Sequence, residues 1–468
     1  MYIKKIILTL FIALALFSCK KEIGDKMNGV SYSNEDVNNW IYQSMSSYYL
    51  WSTKMPALSA TNLSSNPMNY FTSILYDYGN TDRFSWIDSS SANLINQLNG
   101  VNKILGVKLN AFLTDNAKPD GPIALVIAYV LKGSPAENAG LKRGDIILSV
   151  DDQTITTKNY SSILQNETLK LSFGIYTNGV FSSNNKSLSI TKVELQTNPI
   201  LIDTVINWSG KKVGYFAYTQ FLISFDDSLR AVFGRFKSKG VNELIIDLRY
   251  NGGGYVTSSD LLTNLIVKDL GTRVNTVMNK KIYNDSYTQT LNKQSGTSAF
   301  VTNFQNEPNN LGNLNRVFVL TANNTASASE LVINNLKPFM DVLLVGEHTY
   351  GKNVGSFTIT DDQKRWNFGL QPITFKIANS LGQSDYGTVN GFAPNYLVVD
   401  NVLPFKLLGD PAETVLNKAL NIIGGVAYVA NSTIQNINKH TILVQTEGLS
   451  DNKMMDKHDM YQHPPKHP

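Results

Sequence analysis

Residues Asn315–Glu347 read NRVFVLTANNTASASELVINNLKPFMDVLLVGE. The run from Val317 to Leu320 is apolar and rich in β-branched residues, and a similar run follows from Asp341. Between them lie a small polar turn and a stretch with helical spacing, so the segment predicts strand, crossover helix and parallel strand. The same pattern precedes it. KKVGYFAYTQF (211–221) is a strand, FDDSLRAVFGRFKSKG (225–240) a helix stopped by Gly240, and NELIIDLRY (242–250) a buried strand. NGGGYVTSSDLLTNLIV (251–267) then turns through glycines into another helix. Residues 197–425 are therefore expected to form an α/β domain on a mainly parallel sheet covered on both faces, with ligands and catalytic groups at the carboxyl ends of its strands.

A chain of 468 residues is too long for one ordinary core, and the remainder divides by composition. Residues 35–99 carry aromatics at helical spacing in VNNWIYQSMSSYYLWSTKMP (37–56) and predict a small helical region whose aromatics are core. Residues 100–196 alternate in short β-like runs. Within them GSPAENAGLKRGDIILSVDDQTI (133–155) resembles a PDZ domain: Pro135 opens a short helix, Gly140 ends it, Gly144-Asp145 makes a turn, and IILSVDD is a strand. The resemblance implies capture of a peptide carboxyl end by strand addition, with Gly106, Val107, Lys108 and Leu109 nearest the carboxylate loop. Residues 426–468 form an extension whose polar end holds three of the five histidines and reads as flexible and exposed.

The first residues, MYIKKIILTLFIALALFSC, place Lys4 and Lys5 before an apolar run too short to span a bilayer comfortably. Residues 1–18 read as an export signal and 19–34 as a linker. Cys19, the single cysteine, ends LFSC, which resembles the lipobox of bacterial lipoproteins although Phe17 is bulky for its position. A plain secretory signal with an incidental cysteine is the alternative. Lipidation would hold a soluble body at a membrane of the bacterial cell envelope, in the periplasm or at the cell surface. The net charge of +4 carries no basic block, so no nucleic-acid partner is implied.

Two hydroxyls compete in the turn before the helix, Ser327 and Ser329. Ser327 with Glu330 three residues on fits the capping box S-x-x-E, which is sufficient local reason for both residues. Yet Lys352 follows in the glycine-flanked VGEHTYGKNVGSF, and NGGG supplies close-approaching amides. Helix-start serine, isolated lysine and glycine amides are three parts of an acyl-transfer site. A Ser-His-Asp arrangement would have to use His348, the one histidine before the extension. HExxH and a P-loop are absent, so neither a metal nor a cofactor is expected.

TASASELVINN, VGEHTYGKN and LIIDLRYNGGG behind a PDZ-like segment resemble the C-terminal processing (tail-specific) serine proteases, over roughly Val37 to Gly425. The resemblance implies Ser327 as nucleophile, Lys352 as general base, and the amides of Ala328 and Gly253 as oxyanion hole. It implies protein or peptide substrates with free carboxyl ends. Two positions depart from the family: its orienting Gln is here Ser356, and an Asp is here Pro338. Those departures leave open a second class, a PDZ-bearing scaffold that binds polypeptides and cuts weakly or not at all. The amino-terminal expectation has its own test: Cys19→Ser should move the protein from the membrane to the soluble fraction, and unchanged fractionation would refute lipidation.

Overall fold

The computed structural model describes residues 32–115, 118, 120–425 and 458–463. The export signal, Cys19 and most of the extension lie outside the described residues. Among those described, no helix is long and apolar enough to cross a membrane.

The main sheet has six strands in the order Ile200–Trp208, Lys211–Tyr218, Glu243–Asp247, Arg316–Thr321, Asp341–Gly346 and Tyr396–Leu397. The first pair is antiparallel and the remaining pairs are parallel. Glu243–Asp247 is buried along its whole length because both faces are covered. Helices Asp226–Ser238, Val256–Ile266 and Ala328–Leu336 pack on one face through Leu229, Val232, Phe233, Leu262 and Val332. Helix Thr414–Ile423 covers the other with Val415, Leu416, Ala419 and Leu420. The parallel α/β body is thus as the sequence pattern predicts.

Residues 107–191 form the antiparallel β-rich unit, with strands Val107–Leu113, Ile123–Val130, Ile146–Val150, Thr168–Thr177 and Val180–Thr191. Its short helix Pro135–Asn138 is capped by Ser134, and Gly140 and Gly144 take positive φ (78° and 93°) where the chain turns. Arg143, in that turn, is buried against the α/β body. Its guanidinium meets Asp400 at 2.9 Å and the Tyr250 hydroxyl at 2.7 Å, while Arg249 pairs with Asp247 at 2.7 Å and Glu413 at 2.9 Å. This buried ionic cluster seats the β-rich unit beside the turn that leads into NGGG.

The amino-terminal helix Asn34–Tyr48 is capped by Ser33 and Asp36, and Val37, Ile41 and Met45 line its buried stripe. It packs in one apolar cluster with Leu331, Phe375, Ile377 and Met460, which come from the α/β body and the far carboxyl end.

A second six-stranded sheet has no counterpart in the sequence pattern. Its order is Gly254–Tyr255, Met460–Tyr461, Val354–Ser356, Ile373–Asn379, Val277–Tyr283 and Val301–Asn303. Residues 458–463 lie in the stretch that composition marks as flexible and exposed, yet Met460 and Tyr461 are buried and paired on both sides in this sheet. Period-two alternation cannot be read from a strand of two residues.

Candidate active site

The chain leaves strand Arg316–Thr321 and enters helix Ala328–Leu336 through Ser327, whose φ of 65° and ψ of −114° are unusual for a residue with a Cβ. Such a conformation is held by its surroundings at a local energetic cost. Thr325 Oγ1 donates to the Leu248 carbonyl at 2.8 Å, and the Ala326 amide donates to the Asn251 carbonyl at 3.1 Å. Ser329 Oγ also donates to Asn251 O, at 3.1 Å. The serine turn is thereby fastened to the glycine turn. Ser327 Oγ, in contrast, is buried without a hydrogen-bond partner among the described residues. Of the two serine hydroxyls, that of Ser329 is tied down and that of Ser327 is not.

Asn251 shapes the glycine turn as well. Its side-chain amide donates to Tyr218 O at 3.0 Å, and its Oδ1 accepts from the Gly253 amide at 2.9 Å. Gly253 and Gly254 have φ of 119° and 134°. A Cβ on Gly253 would stand 2.8 Å from Ser327 Cβ, so only glycine lets this backbone approach the serine. The Gly254 amide donates to the Asp459 carbonyl at 2.7 Å. Ala328 is the first helical residue, whose amide has no intrahelical acceptor.

Glu330 joins the serine turn to the lysine turn. Its carboxylate accepts from the amides of Ser327, Gly351 and Lys352, each at 2.8 Å, and from Thr349 Oγ1 at 2.6 Å. Ser327 N and Lys352 N share one of its oxygens. Burial holds the carboxyl up at about 7 even against the downward pull of those four donors. Of the capping box foreseen in the sequence, the half in which the Glu330 carboxylate accepts the Ser327 amide is present and belongs to this larger clamp, while Ser327 Oγ stays out of it.

Lys352 is fully buried. Its Nζ lies 4.3 Å from the centre of the Phe84 ring and 3.0 Å from Asp459 Oδ1. Desolvation lowers its pKa from the ordinary lysine value; Asp459 and Asp82 oppose that shift, and Arg83 adds to it. Phe84 is placed by Asp82, whose Oδ1 accepts the amides of Phe84 and Ser85 and whose Oδ2 accepts the Tyr49 hydroxyl at 2.7 Å. The amino-terminal region thus supplies a wall of the lysine pocket.

Ser356 is buried, but its hydroxyl donates to Met460 O at 3.2 Å and accepts from Gln371 Nε2 at 2.9 Å. His348 is exposed, with Nδ1 at 3.0 Å from Asn390 O. Asp459, Phe84, Asn251 and Gln371 were not legible as site residues, for they adjoin it only through the fold. In the β-rich unit, Gly106 takes a φ of 90° just before strand Val107–Leu113. Leu105, Val107, Leu109, Ile147, Leu164 and Leu171 line an apolar cleft there, and Lys108 is buried. Among the described residues no cluster of His, Cys, Asp or Glu could hold a metal ion.

Three stretches match known families: peptidase family S41 over residues 212–389, the peptidase S41 N-terminal domain over 36–86, and the PDZ domain over 126–173. A Bacteroides fragilis protein of known structure, assigned to the S41 proteases, is 30% identical. The superposition covers 83% of this chain and 98% of that one, with a TM-score of 0.67. The photosystem II D1 C-terminal processing protease shares the fold at 17% identity, covering 84% of this chain and 98% of its own, with a TM-score of 0.50. The carboxyl-terminal-processing protease of Synechocystis sp. is 24% identical over 66% of this chain and 67% of its own length. The chloroplastic C-terminal processing peptidase of Tetradesmus obliquus is 25% identical over 49% and 48%. The chain thus spans 48% to 67% of these two curated relatives.

The clamp has a measurable signature in stability. Glu330→Gln sets new N–H donors against three backbone donors and should cost about 3 kcal/mol of unfolding free energy, whereas Ser329→Ala, losing one hydrogen bond, should cost about 1 kcal/mol. Denaturant titration of both variants checks the contrast, and equal small losses would refute the clamp.

Proposed function

Because this chain belongs to peptidase family S41, we propose that it is an exported, lipid-anchored serine endopeptidase that takes protein carboxyl ends in its PDZ domain and cuts with a Ser327–Lys352 dyad. One observation carries the reading: Ser327 Oγ is unbonded at a strained helix start, and one buried carboxylate ties its amide to that of a buried lysine.

Neutral Lys352 Nζ takes the proton of Ser327 Oγ as the oxygen attacks the substrate carbonyl carbon. An ammonium has no lone pair to do this. The oxyanion forms against the free Ala328 amide at the positive end of its helix and against the glycine turn. Gly253 serves there once its amide exchanges Asn251 Oδ1 for the oxyanion. Collapse breaks the C–N bond, and the protonated lysine returns its proton to the departing amine. Water then repeats the sequence on the acyl-enzyme. Ser356 is a candidate to orient the lysine, although its hydroxyl is committed to Gln371 and Met460. The apolar cleft lined by Val107 and Leu109, in the segment that also holds Gly106 and Lys108, suits a substrate end with an apolar last residue.

Ser327→Ala should lower kcat by about 10⁴-fold or more, whereas Ser329→Ala should retain activity within about tenfold. Turnover of an unfolded protein with an apolar tail measures both. Activity in Ser327→Ala equal to the parent's would remove the nucleophile, and a parent with no turnover would favour the binding scaffold.

The base is identified by pH and by substitution. Desolvation lowers the lysine pKa, so activity should rise as pH increases through a value below the ordinary lysine value and fall as the amine is protonated. Lys352→Arg keeps charge but cannot lose its proton and should be as inactive as Lys352→Ala. His348→Ala should retain most of the activity. A dead, folded His348→Ala or an active Lys352→Arg would overturn the dyad.

A further inference from the structure

The site already holds a peptide, and it is the chain's own. Residues 458–463, HDMYQH, enter between the glycine turn and the lysine strand, 107 positions beyond Lys352 at the closest ion pair. Met460–Tyr461 runs parallel to both Gly254–Tyr255 and Val354–Ser356 and, among the described residues, joins them in the sheet order. The backbone ladder is that of strand addition: Gly254 N donates to Asp459 O at 2.7 Å, and Gln462 N donates to Ser356 O at 3.1 Å.

Its side chains alternate into separate surroundings. The Asp459 carboxylate lies between Lys352 Nζ at 3.0 Å and Trp86 Nε1 at 2.9 Å. Met460 enters the apolar cluster of the amino-terminal helices. Tyr461 packs edge-on against Tyr255 with ring centres 4.3 Å apart, and its hydroxyl donates to Leu98 O. His458 stacks on Tyr350 at 4.0 Å. Two of these contacts fall on the machinery itself: Asp459 engages the amine of the dyad and occupies the amide of Gly254, next to Gly253 and Ser327.

We propose that the groove between Gly254–Tyr255 and Val354–Ser356 is a binding site for an extended peptide carrying a carboxylate followed by an apolar and an aromatic residue, and that His458–His463 is its resident ligand, competing with substrate. This rests on the Ser-Lys reading for its consequence, though not for the binding itself. A carboxylate at 3.0 Å stabilises the ammonium form of Lys352, which cannot accept the serine proton. The occupied groove is closed to a second strand. The measured activity is then that of the fraction of molecules whose tail is displaced.

The first experiment keeps the whole chain. Asp459→Asn retains the shape but faces Lys352 with a neutral side chain, so kcat/KM on a quenched peptide should rise about tenfold or more, as should the rate at which a fluorophosphonate labels Ser327. The amides of residues 460–462 should exchange with deuterium faster in that variant. Unchanged labelling and exchange would overturn the proposal. The second ends the chain at Asn452 in the Ser327→Ala background, where fluorescein-HDMYQH should bind and fluorescein-HNMYQH should bind about tenfold more weakly. Binding without turnover by the parent would sink the protease reading and leave the site. Turnover by the parent without HDMYQH binding would do the reverse. If the shortened chain melts far below the parent and Asp459→Asn is slower than the parent, the segment is a structural strand and the proposal fails.

Discussion

The carboxylate of Glu330 is the constraint on which the site depends. It is fully buried and accepts hydrogen bonds from both the serine turn and the lysine turn. Those turns follow different strands of the parallel sheet, Arg316–Thr321 and Asp341–Gly346, whose carboxyl ends lie side by side. Sheet register brings the turns to within a few residues of each other, but it does not set their separation. One rigid acceptor does, because a shift of either turn would strand donated hydrogen bonds in a water-free interior. The unusual backbone of Ser327 is sustained by the same clamp together with the bonds from Thr325 and Ala326. Strain at the serine and burial of the glutamate belong to one arrangement.

Lys352 needs the opposite kind of environment, with few compensating partners. Its pocket is walled by Phe84, and the turn bearing Phe84 is held by Asp82 and Tyr49. The helical region at the amino terminus is therefore part of the lysine's surroundings and not an appendage. Removing water from the amine lowers its pKa, while a carboxylate beside it opposes that effect. Asp459 therefore works against the shift that burial imposes on the lysine. Asp459 acts here by direct contact, 3.0 Å from the amine, whereas Asp82 and Arg83 act on it in opposite directions.

Much of this was legible in the sequence, but unevenly. The strand–helix–strand pattern around Ser327, the buried run before NGGG and the turn chemistry of Pro135, Gly140 and Gly144 follow from period, breakers and caps, all local properties. The pairing of Ser327 with Lys352 comes instead from the family resemblance, and the structure adds that one carboxylate, Glu330, accepts the amides of both. What escaped is what local pattern cannot carry. Glu330 was visible only as a cap because its other partners lie 19 to 22 residues away. The second sheet escaped because several of its strands are two or three residues long. Residues 458–463 looked solvated because polar composition says nothing of a partner such as Lys352 or Trp86, 107 and 373 positions distant.

The glycine turn explains why an extended occupant suits this site. Gly253 and Gly254 adopt backbone angles that bring their peptide groups against Ser327 and Phe221, and side chains at either position would collide. The resulting strand, Gly254–Tyr255, is too short to make a stable sheet edge alone, and Val354–Ser356 across the groove is scarcely longer. Both present backbone groups that must find partners or water. A third strand between them satisfies both edges at once, which a compact ligand cannot do. The tail answers that demand with a ladder to each side, and any competing peptide has to reproduce the ladder while leaving Lys352 Nζ without a carboxylate. A groove built this way favours extended chains in general through their backbone, and separates a resident inhibitor from a substrate by the charge of one side chain.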